Sequence, residues 1–84
     1  MTKEEKINAI YEEALNKLDD LDNPGNGGYF AMHFGPAHIV WEDFNYTISS
    51  VDFCIENFDK YSSNLTDAQR DIVMWSLVEL RKIL

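Results

Sequence analysis

Tyr29-Phe30-Ala31-Met32-His33-Phe34-Gly35-Pro36-Ala37-His38-Ile39-Val40-Trp41-Glu42 is the stretch on which the fold turns. Either side of Gly35-Pro36-Ala37 stands a short run rich in aromatic and β-branched residues, Tyr29 to Phe34 and His38 to Glu42. Such side chains suit a pleated surface and Gly-Pro marks a turn, so the stretch reads as a β-hairpin. Two strands alone are marginal in water, so this hairpin needs helices to pack against.

The flanking sequence supplies them. Thr2 and Glu5 have the spacing of a capping box, and Ile7, Ile10, Tyr11, Ala14, Leu15, Leu18 and Leu21 recur at helical intervals behind it. A first helix is therefore expected over about residues 3–21, ended by Pro24 and the glycines of Asp22-Asn23-Pro24-Gly25-Asn26-Gly27-Gly28. Downstream, Ser49 is placed to cap a second helix, with Asp52 at its third position and Ile48 stapling onto Phe53. Val51, Cys54, Ile55, Phe58 and Tyr61 share one face of that helix. After the short link Ser62-Ser63-Asn64-Leu65, Thr66 and Gln69 form a second capping box, and Ile72, Val73, Ser76, Leu77, Leu80, Ile83 and Leu84 make the inner stripe of a third helix. The short link predicts that the last two helices are antiparallel neighbours. The expected fold class is α+β: an N-terminal helix, a short β-hairpin, then two antiparallel helices packed on it.

A chain of 84 residues makes a single domain, 1–84, with no room for a second core. Fifteen acidic against seven basic residues give a net charge of −8, which argues against a direct grip on nucleic acid or on an anionic membrane surface. One cysteine excludes an internal disulfide framework and fits a reducing compartment. No apolar run approaches the roughly 18 residues of a membrane span. Lys3-Glu4-Glu5-Lys6 is not the start of a signal peptide, so a cytoplasmic protein is expected.

Few residues are candidates for chemistry. Across the expected hairpin His33 and His38 would face each other, and with Glu42, Asp43 or Cys54 they would make a zinc or iron site. The His-x4-His spacing matches no strong metal signature, and the plainer reading is one half-buried, hydrogen-bonded histidine and one exposed. A Cys54–His38–Asp43 nucleophilic trio is the catalytic counterpart. Against it, Cys54 lies in the apolar register of its helix, where a cysteine usually acts as a small hydrophobe. Gly25-Asn26-Gly27-Gly28 lacks the preceding strand and following Lys-Ser/Thr of a phosphate loop and reads as a linker. Asn45-Tyr46-Thr47 and Asn64-Leu65-Thr66 match the glycosylation acceptor by letters only. No catalytic residue, metal or cofactor is therefore assigned, and the chain is not expected to be an enzyme.

Charge patterning says more. Between Lys17 and Lys60 there is no Lys or Arg, while Asp19, Asp20, Asp22, Glu42, Asp43, Asp52, Glu56 and Asp59 fall inside that window. Asp52, Glu56 and Asp59 form one line on the second helix, although like charges at i, i+4 do not favour the isolated helix. Joined to Glu42 and Asp43, they make a negative surface suited to a basic patch on a partner. The alternative is a solvated face that keeps a small protein soluble.

Pro36-Ala37-His38-Ile39-Val40, then Asp43-Phe44-Asn45, then Phe53-Cys54-Ile55, resembles a group of small uncharacterised proteins encoded by phages and prophages. There a P-x-H-I-V run, an acid-x-Asn turn and a helical F-C-I/L recur at this spacing. The likeness spans about residues 35–58; Phe44 stands where a glycine is usual, and Thr47 where an acid is expected. The resemblance implies a mobile-element gene and a bacterial host. It favours an acidic, nucleic-acid-mimicking module that binds and inhibits or modulates a host nucleic-acid-handling or defence protein. The expected partner-binding residues are Glu42, Asp43, Tyr46, Asp52, Glu56 and Asp59, with Tyr46, Trp41 or Trp75 as an exposed aromatic anchor. Two other classes stand beside this: a metal-binding or catalytic domain using His33, His38, Asp43 and Cys54, and a structural homo-oligomer, such as a homodimer, built on the apolar surface around Trp75 and Val78.

Overall fold

The computed structural model describes residues 1–21 and 28–84, so the linker reading of Gly25-Asn26-Gly27 lies outside the described residues. Among the described residues the chain forms α1 (Lys3–Asp19), α2 (Gly28–His33), α3 (His38–Trp41), α4 (Ile48–Glu56), α5 (Phe58–Tyr61) and α6 (Asp67–Ile83), with no strand. The expected α+β class is thus corrected to all-α, and two short helices take the place of the hairpin.

The physical reason lies at the Gly-Pro junction. Gly35 has φ +97°, the left-handed conformation that ends helices, and Pro36 follows it. Upstream, the Phe34 amide still donates to the Phe30 carbonyl at 2.9 Å, a helical bond. Tyr29 stacks on His33 with ring centroids 4.2 Å apart, and Phe30 on Phe34 at 5.1 Å, both at the i, i+4 spacing of a helix. Downstream, Ala37, Val40 and Trp41 are buried at i, i+3, i+4. Burial of a helical face outweighed the β propensity of the individual side chains.

The capping box of α1 forms as expected, with the Glu5 amide donating to Thr2 Oγ1 at 3.2 Å and the Thr2 amide to Glu5 Oε1 at 3.4 Å. So does that of α6, through Thr66 and Gln69. The start of α4 is corrected by two residues: Thr47, not Ser49, is the cap, accepting from the Ser50 amide at 3.1 Å. Ile48 becomes the first helical residue, which removes it from the stapling position. The expected second helix is also broken at Asn57, where the backbone leaves helical geometry and the side-chain amide donates to the Phe53 carbonyl at 2.9 Å.

Arg81 Nε donates to Asp52 Oδ1 at 2.9 Å and Arg70 Nη2 to Asp59 Oδ1 at 2.6 Å. Asp52 in α4 thus meets the last turn of α6 and Asp59 in α5 its first turn, so these segments run antiparallel, as the short link predicts. α6 also packs on α1 and α2, and α3 bridges α2 to α4. Val73, Leu77 and Leu80 join Ala14, Leu18, Met32, Val51 and Cys54 in the buried core, with Ser76 buried against Met32. Each large buried side chain stabilises the fold by roughly 1.5–3 kcal/mol. Among the described residues, no helix is long and apolar enough to cross a membrane.

Candidate functional site

After α3 the chain turns tightly. Glu42 N donates to the His38 carbonyl at 2.9 Å and Asn45 N to the Val40 carbonyl at 3.1 Å. Between them Phe44 takes φ +53°, the left-handed region that a side chain larger than glycine's disfavours. The turn leaves Glu42 and Asp43 exposed, holds the Phe44 ring 72% exposed, and brings Tyr46 back against Trp41 at a centroid distance of 5.7 Å.

This turn forms one wall of a cavity of about 310 Å³. α1 contributes Asn8 and Tyr11, α2 contributes Tyr29 and His33, and Trp41 and Glu42 close the end of α3 beside Phe44 and Tyr46. Its rings touch at mixed angles: Tyr11 and Trp41 at 5.4 Å and 44°, Trp41 and Tyr46 at 64°, Phe44 and Tyr46 at 6.2 Å and 80°. Tyr11 Oη and His33 Nε2 share a hydrogen bond of 2.7 Å. Among the described residues neither His33 Nδ1 nor Trp41 Nε1, both buried, has a hydrogen-bond partner.

Burial sets the protonation of this cluster. It lowers the pKa of His33, with the Glu42 carboxylate opposing in smaller part, so the imidazole is neutral at pH 7. It raises the phenol pKa of Tyr11, helped by Tyr29, and that of Tyr46, helped by Tyr11. Among the described residues the cavity wall therefore carries one formal charge at neutral pH, the carboxylate of Glu42.

The residues expected to bind a partner fall into two groups. Glu42, Asp43 and Tyr46 converge on the turn and cavity. Asp52 and Asp59 lie on the α4–α5 side, where they pair with Arg81 and Arg70; these exposed pairs contribute about 0–1 kcal/mol each but cancel local charge. Glu56 is exposed on the same side, and among the described residues no ion pair engages Glu42, Asp43 or Glu56. The arginines that blunt the acidic line come from the far end of the sequence, which is why the window between Lys17 and Lys60 hid them.

The expected exposed aromatic anchor is corrected in part: Tyr46 is half-buried on the cavity wall. Trp41 is 1% exposed and belongs to the core, and Trp75 is half-buried beneath Lys17 Nζ at 3.8 Å. The exposed rings beside the acids are instead Phe44 and Tyr29, the latter 65% exposed. Tyr11, Tyr29, Phe44 and Asn8 were not singled out from the sequence as site residues. The only signal for them was the density of aromatics around residues 29–46, which was spent on the hairpin.

The metal and nucleophile readings lose their geometry. With no hairpin, His33 and His38 are not cross-strand partners: His33 bonds Tyr11, and His38 Nδ1 donates to the Gly35 carbonyl at 2.8 Å. Among the described residues no three His, Cys, Asp or Glu side chains are grouped to hold a metal ion. Cys54 is buried, and burial pushes its thiol pKa up against a smaller opposing contribution from the Val40 backbone, the reverse of an activated nucleophile.

No family model matches the chain, and no curated protein and no solved structure matches it either.

Proposed function

We propose that this chain is a protein-interaction module that binds a basic surface of a host protein and inhibits or modulates it. The observation that carries the reading is the turn at Glu42-Asp43-Phe44, where two carboxylates without ion pairs among the described residues directly precede an exposed aromatic residue on a strained backbone. Carboxylates speed encounter with a basic partner and set its orientation, and an aromatic ring supplies the desolvated anchor that most interfaces depend on. A strained residue kept in an exposed turn is the kind of feature that clusters at binding sites. Proteins that neutralise nucleic-acid phosphates present the matching basic surface, which makes a nucleic-acid-handling or defence protein the favoured partner. Glu56, which has no ion pair among the described residues, extends the negative field on the α4–α5 side, while Arg81 and Arg70 offset Asp52 and Asp59 there.

The test is capture from a bacterial lysate at low and high salt, followed by titration of the purified partner. We expect a nucleic-acid-handling or defence protein whose binding weakens with salt, competes with DNA or RNA, and is lost in Glu42→Lys/Asp43→Lys. A partner indifferent to both salt and the double reversal, or no partner at either salt, would overturn the reading.

A further inference from the structure

The cavity between α1, α2 and the turn is more specific than an acidic surface requires. Rings of Tyr11, Tyr29, Trp41, Phe44 and Tyr46 supply most of its wall, and among the described residues Glu42 is the one formally charged group there. Among the described residues no Lys or Arg lines it. Aromatic faces carry negative quadrupole charge and attract cations, and a carboxylate beside them adds to that attraction. His33, on the same wall, is neutral at pH 7 because it is buried, and Lys3 lies with Glu4 in the adjoining pocket that shares Asn8, Phe44 and Tyr46 rather than on this wall. At about 310 Å³ the cavity lies at the small end of the range for ligand sites, enough for a compact group.

The shape selects among cations. A flat guanidinium is best held in a slot between parallel faces. Among the described residues the one near-parallel pair on this wall, Tyr29 on His33 at 22°, is closed by its own 4.2 Å stacking. The other rings meet at 44°, 64° and 80° to make an angled, part-open box. A rounded, carbon-coated cation fits a box from all sides. We propose that this cavity is a binding site for an alkylated ammonium group, held by the aromatic walls and by Glu42. The group would be carried either by a small molecule or by a methylated lysine side chain of a partner. In the second case the site deepens the reading of the chain as an interaction module and rests on it; in the first it stands alone. Phe44 has a defined part in this arrangement: its left-handed backbone carries an exposed ring to the cavity rim, where a glycine would leave that side of the box open.

The experiment is a titration of the isotopically labelled full chain followed by NMR. The ligands are choline, its neutral isostere 3,3-dimethylbutan-1-ol, ethylguanidinium and an N-trimethyl-lysine peptide. Choline is expected to shift the Trp41 indole N–H and the Tyr29 and Tyr46 rings, and the neutral isostere to bind at least about fivefold more weakly. Glu42→Gln should weaken choline by about fivefold or more, and Phe44→Ala and Tyr29→Ala by about two- to fivefold each. These three side chains are exposed, so their variants are expected to keep the wild-type amide spectrum. A peptide that binds more tightly than choline assigns the source to a partner side chain, and the reverse order assigns it to a small molecule. Equal binding of the neutral isostere, tighter binding of ethylguanidinium, or no saturable shift with any ligand would overturn the proposal. Glu56→Lys separates the two readings: Glu56 lies outside the cavity, so the change leaves choline binding intact, and it weakens partner capture only if the acidic surface reading holds.

Discussion

Replacing Phe44 by glycine and, separately, by alanine separates what this residue costs the backbone from what its ring contributes. Alanine keeps a Cβ in the left-handed region, so the strain of about 1–2 kcal/mol stays. The ring is 72% exposed, so its loss removes only a minor part of the roughly 1.5–3 kcal/mol that full burial of a phenylalanine gives, plus its edge contact with Tyr46. Phe44→Ala should therefore destabilise by about 0.5–1 kcal/mol. Glycine loses the same ring and relieves the strain, but costs about 0.5–1 kcal/mol of extra chain entropy. The glycine variant should end near wild type and above alanine by about 0.5–1 kcal/mol, equivalent to a melting temperature higher by roughly 2–8 °C in a domain this small. Urea unfolding followed by circular dichroism measures the difference. If Phe44→Ala is as stable as Phe44→Gly, the backbone at residue 44 is not left-handed and the account of the turn fails. Ligand binding should follow the opposite logic. Both variants lack the ring and should lose choline affinity together, so glycine would give a chain that folds as well as wild type and binds less.

Three further outcomes follow from buried groups and from the second left-handed residue. His33 holds its proton less tightly in the fold than in the unfolded chain, so below its ordinary pKa of 6.5 the unfolded state binds more protons. Stability should fall as pH drops below about 6.5, and His33→Gln should flatten that slope; an unchanged slope would remove His33 from the explanation. Cys54 should react with Ellman's reagent at pH 8 far more slowly in the native protein than in urea, and rapid native labelling would contradict its burial. Gly35→Ala should cost at least about 1 kcal/mol, because φ +97° disfavours a Cβ and that atom would lie 3.2 Å from Asn64 Oδ1. An unmoved urea midpoint would show that α2 does not need this stop.

The parts of the fold written in local, periodic signals were legible in the sequence. The capping boxes of Thr2/Glu5 and Thr66/Gln69, the stripe on α6 and its antiparallel partner all depend on neighbours three or four residues apart or on a short link. The middle failed because Tyr29 to Glu42 contains two helices of six and four residues, too short to display a full apolar period. The i, i+4 pairs Tyr29/His33 and Phe30/Phe34 and the Gly-then-Pro stop were present, and both pointed to helix. For the site, Glu42, Asp43 and Tyr46 were visible as charge and aromatic character. Their joining to Tyr11 and Tyr29 was not, because that depends on α1 folding back beside α2. The pairing of Asp52 and Asp59 with arginines in the last helix was hidden for the same reason: long-range contacts leave no mark in a charge window.

The two tryptophans stand in opposite electrostatic and solvent settings. Trp41 is sealed among Tyr11, Tyr46 and the core, while Trp75 sits half-open beneath the ammonium of Lys17. The protein thus carries two native fluorophores with different accessibility to a dissolved quencher. Acrylamide should extinguish the Trp75 emission first. Iodide, drawn to Lys17, should favour it further, leaving the shorter-wavelength signal of Trp41. Occupation of the aromatic cavity and loosening of the α1–α6 seam can then be followed separately in one unlabelled sample.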